Sequence, residues 1–133
     1  MDTKKFYIAT GKLVYAIAKA DGIIQNKESR KFNNIIEDEV QLLSKAIGHH
    51  QTDVHADTAL EFELMKSKNA SAEEAFNSFM DFYHAHKPAI NNDMKTEIVS
   101  FVTRIAKSSS GVSEKESKMI NQLKDEFKDL KNS

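Results

Sequence analysis

Apolar residues return every three or four positions along almost the whole chain, the period of helices with one buried face. Phe6, Leu13, Ile17 and Ala20 share a side of a helix expected over 4–20, and Gly22 suits the left-handed stop after it. A second helix is expected over 26–47, with Phe32, Ile36, Val40, Leu43 and Ile47 as its stripe and Gly48 as its end. GHHQTD then breaks the period, and Asp53 suits the cap of a helix carrying Ala59, Leu60, Phe62, Leu64 and Met65. Ser71 to Glu74, SAEE, has the form of a capping box: the serine oxygen takes one orphan amide and the glutamate reaches back for another. The helix it opens carries Phe76, Phe79, Met80 and Tyr83 and ends before Pro88, which disfavours helix at Lys87. Asn91 or Asn92 caps a helix with Met94, Ile98, Phe101, Val102 and Ile105. After SSSGV, a second box, SEKE at Ser113 to Glu116, opens a last helix with Ile120, Leu123, Phe127 and Leu130, whose lysine-rich end should fray. The pattern predicts an all-α bundle of six to seven helices in one domain spanning 1–133.

Composition narrows what such a bundle does. With 19 Lys plus Arg, 20 Asp plus Glu and a formal charge of −1, no basic face dominates, so nucleic acid is not the expected partner. Arginine occurs only at Arg30 and Arg104, which weakens that reading further, because bidentate phosphate and base contacts favour it. Cysteine is absent, which removes disulfides, thiolate zinc sites and a cysteine nucleophile and suits a cytoplasmic setting. No run approaches the ~18 apolar residues of a membrane span, and Lys12 and Lys19 interrupt the first apolar stretch, so neither membrane insertion nor a signal peptide is expected.

The chain repeats itself. AIAKADGIIQNKESRKF at 16–32 aligns without gaps with RIAKSSSGVSEKESKMI at 104–120. Ile17 meets Ile105, Ala18 meets Ala106 and Lys19 meets Lys107. Ile24 meets Val112, Glu28 meets Glu116 and Phe32 meets Ile120. Each unit reads as helix, tight turn with one inward apolar residue, helix. Two such hairpins, at about 4–47 and 92–131, can pack about a pseudo-two-fold axis. Duplication and shared capping rules both account for a repeat of this length.

The first unit is the more specific. Ala20, Asp21, Gly22, Ile24 and Glu28 resemble the Ala-Asp-Gly-x-Ile/Val-x-x-x-Glu signature of the TerB family, the tellurite-resistance family. Its fold is also similar to the N-terminal region of a membrane-anchored J-domain co-chaperone. AKSSSGVSEKE lies where the family's second, degenerate copy should be. The resemblance implies a compact all-α bundle of two hairpin repeats and a role in tellurite, metal or envelope stress. It also implies an acidic patch suggested to bind metal, and no enzymatic activity. The histidine-proline-aspartate triad of a J domain is missing; the nearest string is HKP at His86 to Pro88.

Asp21 and Glu28 are therefore the first candidate ligands for a divalent cation such as calcium, manganese or zinc. Two carboxylates are too few for a hard cation, and Ser109 stands where the resemblance implies a second Asp, so any metal site is either half degraded or completed by Ser109, Glu114, Glu116 or backbone carbonyls of the second turn. Each candidate also has a purely structural role. Asp21 can bond turn amides before Gly22, and Glu116 can close a box with Ser113. Glu28 fits a cap less well, because Gln25 is a poor N-cap and Asn26 would put Glu28 out of frame. His49, His50 and His55 with Asp53, and His84 with His86, lack the spacing of a zinc set, since residues one or two apart do not share a helix face. The serines at 108–110 have no base at motif spacing, and there is no glycine-rich phosphate loop. Glu37 to Glu39, EDE, and KDEFKDLK near the end read as solvated faces. The expectation is a non-enzymatic module with a protein partner; the other reading is a divalent-metal sensor or buffer.

Overall fold

The computed structural model describes residues 1–22, 24–48, 54–108 and 112–131, with side chains at 54, 55 and 129–131 left aside. Those residues form six α-helices: α1 (Thr3–Lys19), α2 (Asn26–Ile47), α3 (Val54–Ser67), α4 (Ala72–Ala85), α5 (Asn92–Lys107) and α6 (Glu114–Lys131). A single 3-10 turn, Lys87–Ala89, separates α4 from α5 and holds Pro88. The expected Asp53 cap, His49, His50, the His55 side chain, Ser109 to Gly111 and the Leu130 side chain lie outside the described residues.

Most ends are closed as their residues dictate. Ser71 Oγ accepts the Glu74 amide at 3.0 Å, and Asn91, rather than Asn92, caps α5 by accepting the Met94 amide at 2.9 Å. One cap was not expected: Asp2 Oδ1 accepts the Lys4 amide at 3.0 Å and opens α1.

α1 is the centre of the bundle. The expected single stripe is an underestimate, because Phe6, Tyr7, Leu13, Val14, Tyr15, Ala16 and Ile17 are all buried, and a helix apolar all round is buried all round. α3, α4, α5 and α6 all pack on it, and α2 lies across α3 and α5. At Gly11, α3 comes so close that a methyl group would sit 2.6 Å from the Thr58 carbonyl oxygen. Thr58 Oγ1 also donates to the Tyr7 carbonyl at 2.9 Å, and Tyr15 Oη donates to the Ala70 carbonyl at 2.6 Å. These bonds satisfy polar groups that burial would otherwise penalise. α5 packs directly on α6, whereas α1 and α2 are held together chiefly through α3 and α5. Among the described residues no helix is long and apolar enough to cross a membrane. On α3, Thr58 and Phe62 face inward, while Leu60 and Leu64 are exposed.

Candidate functional site

The first turn follows from α1 running out of helix. Gly22 donates its amide to the Lys19 carbonyl at 2.8 Å and takes φ +122°, a conformation that side chains resist. Space is not the reason for glycine here, since a Cβ at Gly22 would meet nothing within 4 Å. Asp21 and Gly22 stand in solvent, and Ile24 is buried at 8% exposure. Asp21 makes no hydrogen bond or ion pair among the described residues, so it is not the amide-bonding turn residue that local chemistry allows. Glu28, by contrast, is in frame: its Oε1 accepts the Gln25 amide at 2.9 Å, and its own amide donates to the Gln25 carbonyl at 3.0 Å. A main-chain oxygen does what the poor N-cap side chain was expected not to do.

The second turn differs in depth. Ser108 Oγ donates to the Ile105 carbonyl at 2.7 Å and finishes α5. Ser113 and Glu116 form the full reciprocal box, with Glu116 Oε1 accepting the Ser113 amide at 2.9 Å and Ser113 Oγ accepting the Glu116 amide at 3.1 Å. Glu116 is 1% exposed. Val112, expected to point inward like Ile24, is 40% exposed.

The two turns come to the same end of the bundle. Burial pushes the Glu116 carboxyl above the ordinary carboxylate range, its Ser113 bonds oppose that, and the charges of Asp21 and Glu28 raise it further. Glu116 thus lies within electrostatic reach of Asp21 and Glu28. Glu114 takes no part: it is exposed and pairs with Lys118 one turn on, at 3.8 Å. Among the described residues no three His, Cys, Asp or Glu side chains are grouped to hold a metal ion. The arrangement concentrates negative charge at one end, with Asp21 outermost. On α2, close to the same end, Lys31 donates to the Ser108 carbonyl and ties that helix to the second turn.

His84 and His86 diverge, as their spacing requires. His84 Nε2 lies 3.3 Å from Glu126 Oε2 on α6, while His86 Nδ1 meets the Phe82 carbonyl at 2.9 Å and stacks on the Phe82 ring.

A second cluster escaped the sequence reading. Glu39 was expected on a solvated face, yet it is 4% exposed, turned into the seam between α2 and α5. It meets Glu97 of α5 there, with Arg104 Nη1 3.9 Å from Glu39 Oε2 and Arg104 Nη2 3.2 Å from Asp38 Oδ2. The signal was present in the spacing. Glu39 stands three after Ile36 and four before Leu43, and Glu97 three after Met94 and four before Phe101, so both lie within apolar stripes.

Comparison with known proteins adds one finding. No curated protein and no solved structure matches the chain. The family described as tellurite resistance protein TerB matches residues 7–128, nearly the full length and both turns. The helical bundle and the Ala-Asp-Gly turn agree with that match, and the chain belongs to the TerB family.

Proposed function

We propose that the chain is a non-enzymatic cytoplasmic module of a tellurite, metal or envelope stress response that works by binding a protein partner through its acidic end. The observation that carries this reading is Asp21: a carboxylate of the Ala-Asp-Gly turn, exposed, with no hydrogen bond or ion pair among the described residues. A residue of that kind is free to meet something else. Glu28 and Glu116 stand behind it and strengthen the local negative field. Nucleic acid has no place in this reading, because the field at this end has the wrong sign.

The experiment is a pull-down with the full chain and with Asp21→Asn, alongside their melting curves. Loss of a partner with an unchanged melt supports the reading. A partner retained by Asp21→Asn, together with normal growth of Asp21→Asn cells on tellurite, overturns it.

The charges of Asp21 and Glu28 acting on Glu116 favour a second reading: a divalent-cation sensor or buffer with Asp21 and Glu28 as ligands and Glu114, Glu116 or Ser109 completing the shell. Its test is an amide NMR titration of metal-stripped protein with calcium, manganese and zinc. Shifts confined to 21–28 and 109–116 would favour this reading over the first; silence at millimolar ion would remove it.

A further inference from the structure

The seam between α2 and α5 buries two groups that a helix interface normally excludes. Glu39 is 4% exposed, and across the seam Glu97 of α5 faces it with a buried carboxyl oxygen. Glu97 Oε1 is buried and meets no donor among the described residues. Two carboxylates offer each other only lone pairs, so they bond only if one carries a proton. Arg104 does not replace that proton. It is half exposed, lies closer to Asp38 than to Glu39, and brings one positive charge to three carboxyl groups.

We infer that the α2–α5 seam is a proton-binding clasp: one proton held between Glu97 and Glu39 fastens the two helices, and its loss as pH rises loosens them. Glu97 is the protonated member, its O–H donating to the Glu39 carboxylate. Burial and then the Glu39 charge push the Glu97 carboxyl up to about 7. Burial also raises Glu39, with Arg104 and the bond from Glu97 opposing and Asp38 adding to the rise.

From α1, Tyr7 faces Ser44, farther along α2. From α3, Lys66 reaches Asn26 and Ser29, at the start of α2. Towards α6, Lys95 of α5 lies 3.5 Å from the Phe127 carbonyl. Among the described residues the charges that act on the pair are those of Asp38 and Arg104.

The sign follows. Folding lifts Glu97 from its ordinary 4.5 to about 7, so the folded chain binds the extra proton between those values. The stability that depends on the pair is complete below that window and falls as pH rises through it.

The test is a set of thermal melts of the full chain between about pH 5.5 and 8.5, for the wild type and Glu97→Gln, with carboxyl-carbon NMR titration of both. Glutamine keeps the shape and donates an N–H to Glu39 but does not titrate. The wild-type Tm is expected to fall by roughly 5 °C across that range and the Glu97→Gln Tm by less than half as much. One glutamate should titrate near 7 in the wild type and be missing in the variant. An equal fall in both proteins, or Glu97 titrating in the ordinary range, overturns the clasp. So does stabilisation of the wild type at the alkaline end by millimolar magnesium, which would make the pair a cation site. If Glu97→Gln does not fold, the wild-type titration decides alone.

Discussion

The chain turns from one helix into the next in two places with the same spacing, and the turns bury opposite things. At the first, Ile24 enters the core and the carboxylates of Asp21 and Glu28 remain at or near the surface. At the second, Val112 stays out and the Glu116 carboxylate goes in. Both helices nevertheless open with a glutamate accepting the amide three residues before it, at 2.9 Å in each case. Cap geometry is local and survives the difference; burial is decided by what the rest of the bundle lays over the turn. The first turn anchors by an apolar side chain and shows its charge, whereas the second anchors by a capped carboxylate and shows its apolar residue.

The comparison is most exposed to failure at its apolar members. Ile24→Ala should destabilise the chain by about 2–3 kcal/mol, the cost of a cavity at a buried isoleucine, and Val112→Ala by no more than about 0.5 kcal/mol. Urea melts of the two variants check this, and equal losses would erase the difference between the turns. The caps come next. Ser113→Ala should cost about 1 kcal/mol, because the Glu116 amide loses its acceptor. Gln25→Ala should cost no more than about 0.3 kcal/mol, since the Glu28 amide bonds to a main-chain carbonyl that alanine keeps. The smallest effect tests whether the turns touch electrically. Asp21→Asn removes a like charge from Glu116, so the Glu116 carboxyl should titrate lower, and stability near neutral pH should rise by a few tenths of a kcal/mol, about 0.3. The sign follows from linkage: a carboxyl raised by folding loses stability as pH climbs through its window, and a smaller rise loses less. Carboxyl NMR of Glu116 in the variant reads this directly, and an unmoved titration would separate the two turns.

What the amino-acid order reveals here divides along the same line. SEKE is legible because a capping box needs only four neighbouring residues, and the serine cap of SAEE and the Pro88 break need little more. The buried stripe of α2 and the stop at Gly48 are legible for the same reason. The all-round burial of α1 is not, because which sides of a helix are covered depends on helices made 40 to 100 residues later. Glu39 shows the limit most clearly: EDE reads as a charged surface run while its spacing from Ile36 and Leu43 sets it in the apolar stripe, and the packing of α5 decides between the two. Of the candidate site, Glu116 lies within electrostatic reach of Asp21 and Glu28, but among the described residues the three are not grouped as a metal site. Glu114 does not join them, since its place at the first position of α6 turns it towards Lys118 instead.

The central position of α1 has a consequence for how the chain is made. Every helix that packs on it is synthesised after it, and α3, α4, α5 and α6 must all emerge before its apolar circumference is covered. During translation a segment with Phe6, Leu13, Val14 and Ile17 therefore waits without its partners, with nothing but transient company or a chaperone to shield it. Fragments ending after α4 leave one side of α1 bare. The chain should consequently fold in a single late step, once α6 is free, rather than helix by helix as it is made.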